Sequence, residues 1–229
     1  MRTLCIDIGG TGIKAMVLDA EGAPLSDRIR VRTPKAAIPA ALFAALDELL
    51  ARAGEFDRVS VGFPGVVIDG ITYTAPNLGD GWGGIALAEQ LSRRTNRPVR
   101  ALNDCGLQGL GVIEGRGTEI LVMLGTGMGF GLYIDGRYVP NIELGHHPFR
   151  KKKTYEDRIS NAQRKAIGKR KWNARVRKVV AQITPIFNYR KLYLGGGNAR
   201  YLEVDKLPEN VVVIDNLVGF RGGVKLWSI

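Results

Sequence analysis

The chain has 229 residues, 45% hydrophobic and 24% charged, a globular composition with length for one large or two small domains whose cores need no staples. Two cysteines, Cys5 and Cys105, are too few for a disulfide framework or a cysteine zinc site. The first apolar stretch is broken by Asp7 and no run of about 18 apolar residues follows, so neither a signal peptide nor a membrane span is expected, and the cytoplasm is the expected location. The net charge of +11 is concentrated: 13 of the 33 Lys and Arg residues lie in residues 150–178 against Glu156 and Asp157, so this segment alone accounts for the excess.

In chain order, TLCIDIGGTGIKAMVLD reads as strand, glycine turn, strand, because two short β-favouring runs flank Gly9, Gly10 and Gly12. Residues 21–35 supply a third strand, and AAIPAALFAALDELLARAG repeats apolar residues at helical spacing until Gly54 stops it. RVSVGFPGVV returns to strand and turn, IALAEQLSRRTN reads as a helix, and VRALND as a strand feeding the small-residue helix CGLQGLGVIEG. A second strand, glycine turn, strand unit, EILVMLGTGMGFGLYIDGRYV, echoes the first and predicts a duplicated α/β architecture. The basic segment is predicted helical, with Trp172, Val176, Val179 and Val180 as its apolar stripe. KLYLGGG then reads as strand and turn, VVVID as a last strand and LVGFRGGVKLW as a helix. Leu217, Phe220 and Trp227 in that tail suit a core or an interface equally.

Two stretches carry chemistry on their own. In DIGGTGIK (7–14), Gly9, Gly10 and Gly12 let backbone amides approach an anion, Thr11 adds a hydroxyl and Lys14 a cation; a tight hairpin needing positive φ is the competing reading. Asp7, at a strand end facing the turn, is a candidate for holding Mg2+ through water, since Mg2+ takes few carboxylates and keeps its waters. LGTGMGFG (124–131) offers a second such turn, with Gly125, Thr126 and Gly127. Neither stretch matches a GxxxxGK[ST] P-loop, and the first turn is not followed by the helix a dinucleotide fingerprint requires.

With these turns in place, the sequence resembles the ROK family of bacterial sugar kinases and repressors, within the actin-like ATPase superfamily. The motifs fall in order over nearly the full length: DIGGT (7–11) resembles the first phosphate motif, GFPG (62–65) and PNLGDGW (76–82) the sugar-side loops, and LND (102–104) the catalytic dipeptide. GTGMGFG (125–131) is similar to the second phosphate motif, ELGH (143–146) to the sugar clamp, and GGG (195–197) to the adenosine-side turn. The resemblance implies an α/β fold of two actin-like ATPase (ribonuclease H-like) domains flanking a cleft. Residues 1–104 would form the sugar-side domain with the first phosphate motif, and 105–229 the donor-side domain. It implies a glucokinase-type reaction from polyphosphate or ATP to the 6-hydroxyl of glucose, with Mg2+ and with Asp104 as general base; phosphoryl transfer needs positioning, charge neutralisation and a group that takes the hydroxyl proton late.

On the same resemblance, Glu143 and His146 hold sugar hydroxyls, with Asn77, Asn103 and the Gly65 amide completing the ring, and Gly195, Gly196 and Gly197 lie at the nucleotide. Family members form homodimers and carry a cysteine zinc motif after the ELGH histidine; here that motif is missing, so no structural zinc is expected, and Glu156 is the nearby candidate for a further sugar-binding glutamate. The stretch that replaces it, residues 150–178, resembles the zinc-free polyphosphate glucokinase branch, and a cationic surface there would concentrate a polyanionic donor; a solvated helical face is the alternative. An ATP-dependent kinase for another hexose or amino sugar would use the same residues. A sugar-responsive repressor needs an N-terminal helix-turn-helix for which a strand beginning near residue 3 leaves no room. Nucleic-acid binding by the basic segment would want more aromatic platforms than Tyr155 and Trp172, so no nucleic-acid partner is expected.

Overall fold

A computed structural model describes residues 1–215 and 218–228. The chain forms two compact units, Met1–Gly111 with Val218–Ile229, and Val112–Leu217. In the first, β1 (Thr3–Ile8) and β2 (Ile13–Leu18) form the expected antiparallel hairpin, and β3 (Ile29–Val31) pairs with β2 at the sheet edge. After α1 (Pro39–Leu50), β4 (Arg58–Phe63) returns parallel to β1. A small ribbon, β5 (Val67–Ile68) and β6 (Ile71–Thr72), and α2 (Leu87–Thr95) lead to β7 (Val99–Asn103), parallel to β4, and straight into α3 (Asp104–Leu110). The sheet order is β3-β2-β1-β4-β7.

Strand alternation explains the layers. Leu4, Ile6 and Ile8 point to one face of β1, where they bury against Leu42, Leu46 and Leu49 of α1 and Leu87 and Leu91 of α2. Each such fully buried side chain contributes roughly 1.5–3 kcal/mol. Cys5 and Asp7 point to the other face.

The second unit repeats the plan. β8 (Thr118–Leu124), β9 (Met128–Ile134) and β10 (Arg137–Val139) form an antiparallel meander. The hairpin β11 (Pro148–Arg150) and β12 (Lys153–Thr154), α4 (Tyr155–Ile159) and α5 (Asn161–Phe187) follow, and β13 (Lys191–Gly195) and β14 (Val211–Val213) add in parallel beyond β8. The order β10-β9-β8-β13-β14 has the same sequence of antiparallel and parallel pairings as the first sheet, so the duplication expected from the two glycine turns is present. The basic segment is helical from α4 onward, as its stripe predicts: Trp172, Val176, Val179 and Val180 are buried and Trp172 Nε1 donates to Ile159 O at 2.8 Å; its first cations, Arg150 to Lys153, lie instead on the β11–β12 hairpin, with Lys151 and Lys152 at positive φ in its turn. Gly168, at φ 79° and ψ 159°, breaks α5 into two helical pieces, which the periodicity did not signal.

The tail departs from the expected division. Residues 218–228, with α6 (Arg221–Lys225), pack with the first unit rather than with the second half of the chain. Phe220 and Val224 join Cys5, Met16 and Leu18 on the face of the sheet that α1 leaves open. Glycine makes that approach possible: a Cβ on Gly222 would lie 1.8 Å from Leu107 O of α3. Trp227 Nε1 donates to Ser60 Oγ at 2.8 Å, with the Arg58 and Arg100 guanidinium carbons 5.0 and 4.8 Å from its ring centroid. Leu217, the third apolar tail residue singled out above, lies outside the described residues.

Candidate active site

In the first unit the predicted residues gather at the carboxyl ends of β1, β4 and β7, the end of an α/β sheet where ligands bind. Asp7 is in register with Gly62, Gly62 with Leu102 and Phe63 with Asn103, which places Asp7 and Asp104 at the ends of strands two apart. Gly62 makes room between them: a Cβ there would lie 3.2 Å from Asp104 Cα.

Asp104 is the first residue of α3, and its Oδ1 accepts from Cys105 N at 2.7 Å. The helix cap is Asn103, whose Oδ1 accepts from Gly106 N at 3.0 Å while its Nδ2 donates to Gly65 O at 3.2 Å. At 7% exposure Asn103 thus has a structural role as the cap beside whatever it offers a ligand. The Gly65 amide, expected to face the sugar, donates to Phe63 O at 2.9 Å instead. Asn77 is exposed and lies against the first glycine turn, its carbonyl oxygen 3.3 Å from where a Gly10 Cβ would be.

The first turn closes with Gly9 N donating to Gly12 O at 3.2 Å, and Thr33 Oγ1 donates to Gly9 O at 2.5 Å. None of Gly9, Gly10, Gly12, Gly125 and Gly127 has φ in the left-handed region, so the hairpin-strain reading of these glycines does not hold; what they provide is a bare backbone. Gly10 and Thr11 are exposed at the tip. Lys14 Nζ, expected at the phosphate, lies 2.9 Å from Asp7 Oδ2, and Gln108 Nε2 donates to Asp7 Oδ1 at 3.3 Å. Each Asp7 oxygen thus keeps further lone pairs. Among the described residues no three His, Cys, Asp or Glu side chains converge as a metal cage. A single carboxylate beside a phosphate turn nevertheless fits Mg2+, which is held by one or two carboxylates together with waters and substrate phosphates.

The second unit gathers its predicted residues around the turn at 125–127. Gly125 N donates to Gly127 O at 3.1 Å, and Gly125 O accepts from Asn161 N at 3.0 Å and Asn198 Nδ2 at 3.2 Å. Thr126 is exposed and no atom lies within 4 Å of a Cβ on Gly125. Glu156 passes directly beneath: its Oε2 accepts from Met128 N at 3.0 Å and would stand 2.0 Å from a Cβ on Gly127. Glu143 and His146 occupy a 3-10 turn, Oε2 to Nε2 3.9 Å, held to β9 because Gly145 lies against Met128 O. Burial raises the Glu143 carboxyl above its ordinary range, with His146 lowering it and the Glu156 charge raising it further. Of the glycine triplet, Gly196 is structural, at φ 86° and with Leu124 O 2.5 Å from a Cβ, while Gly197 is open. Glu156, the candidate glutamate of the sequence resemblance, lies at this turn, together with Asn161 and Asn198, which the sequence motifs left unassigned; only Asn198, directly after the triplet, sits where a motif could have flagged it.

The cationic segment, residues 150–178, runs from the β11–β12 hairpin through α4 into α5, whose first residue, Asn161, is bonded to this turn. Nine of its cations, Arg150, Lys151, Lys152, Lys153, Lys165, Lys169, Arg170, Lys171 and Lys178, are exposed. The rest are engaged: Arg177 with Glu203 at 3.1 Å, Arg164 with Asn198 Oδ1 at 3.1 Å, Arg175 with Gln163, and Arg158 with the Arg150 carbonyl.

Comparison with known proteins agrees with this geometry. The ROK family profile matches residues 3–155. The polyphosphate glucokinase of Mycobacterium leprae (strain TN) is 32% identical, over 96% of this chain and 73% of its own. The solved inorganic polyphosphate/ATP-glucomannokinase of Arthrobacter sp. strain KM superposes with a TM-score of 0.90 at 27% identity, covering 99% of this chain and 98% of its own. The ROK family glucokinase of Streptomyces griseus, solved with glucose and AMPPNP, shares the fold at TM-score 0.82 and 20% identity, with 99% of each chain covered. With two β-β-β units of one topology, two glycine turns, a capped helix that starts in the LND stretch and these relatives, the chain belongs to the ROK family.

Proposed function

We propose that this sugar kinase transfers a phosphoryl group from polyphosphate, ATP or both to the 6-hydroxyl of glucose. The observation that carries the reading is Asp104, fixed at the head of a capped helix two strands away from a carboxylate-bearing glycine turn. Its Oδ1 already holds an amide, which orients the carboxylate before any substrate arrives. In this role Asp104 aligns the hydroxyl and accepts its proton as the new oxygen–phosphorus bond forms. Glu143 and His146 accept and donate to ring hydroxyls, and Glu156, at the same turn, is the further sugar-side carboxylate. The bare backbones at Gly10, Thr11, Gly125 and Thr126 receive phosphate oxygens. When bound with the donor's phosphates, Mg2+ supplies neutralisation of the transferring group's charge; Asp7 is the residue that would hold it, with Lys14 and Gln108 fixing that carboxylate.

Polyphosphate as a donor is supported by position. Five of the exposed cations, Lys165, Lys169, Arg170, Lys171 and Lys178, lie on a helix whose first amide is bonded to Gly125 O, which ties the element that carries them to the second glycine turn. The test compares initial rates with glucose and Mg2+ for ATP and long-chain polyphosphate over a range of salt, using the native chain and a variant with Lys169, Arg170 and Lys171 changed to Gln. Polyphosphate turnover that falls with salt and in the variant, with ATP turnover preserved, is the predicted pattern. Equal response of both donors would make that face a solvated surface, and silence with both donors would end the kinase assignment for glucose.

A further inference from the structure

The first glycine turn has a cation beside it that neither the motif nor the mechanism uses. In the sheet register Asp7 faces Lys14 and Lys14 faces Arg30, so the three side chains form a row on one face of β1, β2 and β3. Two like charges directly opposite each other are unfavourable unless an anion compensates them. Lys14 has its anion, Asp7, at 2.9 Å. Arg30 has none: it is exposed, and no hydrogen bond or ion pair ties it among the described residues. Its guanidinium nonetheless lies on the backbone of the turn. A Cβ at Gly12 would stand 2.8 Å from Arg30 Nε and 3.2 Å from Nη2. The Arg30 guanidinium thus occupies the space that a side chain at position 12 would take. Thr33, two residues beyond the end of β3, braces the same turn through Gly9 O.

We propose that Arg30 binds the donor's phosphate oxygens at the first turn, as a planar fork suited to bidentate contact, while Lys14 serves to position Asp7. The proposal rests on the kinase reading above and assigns the cation of the first phosphate site to an edge strand outside the DIGGTGIK stretch. It accounts for three observations together: the guanidinium against the backbone of the turn at Gly12, the uncompensated charge opposite Lys14, and the diversion of Lys14 to a carboxylate.

The test measures tripolyphosphate binding by calorimetry, with donor and sugar KM measured in parallel, for the native chain, Arg30→Gln and Arg30→Lys. Arg30→Gln should weaken tripolyphosphate by at least about tenfold, the scale of one lost charge-assisted hydrogen bond, and raise the KM for both donors while leaving the glucose KM and the melting temperature in place. Arg30→Lys should recover part of the loss, as a charge without the fork. Native-like tripolyphosphate affinity in Arg30→Gln overturns the assignment of Arg30 and leaves the kinase reading intact. A native chain that binds neither tripolyphosphate nor ATP overturns both.

Discussion

The hairpins at residues 7–14 and 124–131 occupy the same place in two sheets of the same topology, yet they are braced by different chemistry. The first is lined by charge, with the Asp7–Lys14 pair, Gln108 on the other Asp7 oxygen and Arg30 against Gly12. The second is braced by neutral amides from Asn161 and Asn198, with Glu156 beneath it and Glu143 and His146 beside it. Duplication of the backbone therefore preserves where a phosphate can be met by bare amides but not what the surrounding side chains do. The first unit holds the groups suited to proton acceptance and to a cation, and the second those suited to sugar hydroxyls.

If that division is right, substitutions should separate cleanly into rate effects and binding effects. The largest expected effect is Asp104→Asn in the first unit: kcat should fall by about 10²–10⁴, the range of general-base contributions, while calorimetry finds glucose affinity within a few-fold of native. Comparable loss of glucose binding would place Asp104 among the sugar ligands and blur the comparison. Glu143→Gln in the second unit should do the reverse, raising the glucose KM by roughly tenfold with a smaller change in kcat. Because burial holds the ionised Glu143 in an unfavourable setting, removing its charge should not lower the melting temperature.

A smaller effect concerns pH. A carboxyl raised in the folded state ionises late, so sugar binding that needs Glu143 ionised is present above its raised value and lost as pH falls through it. The acid limb of kcat/KM for glucose should thus lie above the ordinary glutamate value of about 4.3. Glu156→Gln removes the like charge that raises it, and should move the limb downward; an upward or absent shift would separate Glu156 from the clamp. The smallest effect is on stability. Asn103→Ala removes the cap of α3 and should cost about 1 kcal/mol by denaturant unfolding, together with a drop in kcat from the displaced Asp104, while Asn103→Ser retains most of both.

The hairpins, the α1 and α2 helices and the buried stripe of α5 were legible because each is a local period: alternation across β1, 3.6-residue spacing in α1, glycine at the turns. The ordered motifs likewise singled out Asp7, Asp104, Glu143 and His146, which the fold sets at strand ends, a helix start and a 3-10 turn. What sequence could not give was the partner of each group. In sequence Lys14 reads as a phosphate ligand, with no sign that the register puts Asp7 opposite it, and Asn103 as a sugar ligand, with no sign of its cap to Gly106. Gly12 reads as conformational freedom until Arg30 is found in its place, and the tail reads as part of the second half until Gly222 lets it reach α3. These are long-range contacts, fixed by packing between elements far apart in the chain, and no local pattern encodes them.

The central claim is tested most directly by incubating the purified chain with glucose, Mg2+ and long-chain polyphosphate as sole donor, and assaying glucose 6-phosphate, with ATP in a parallel reaction. The account predicts glucose 6-phosphate with polyphosphate, abolished in Asp104→Asn. Absence of any sugar phosphate from either donor would contradict it.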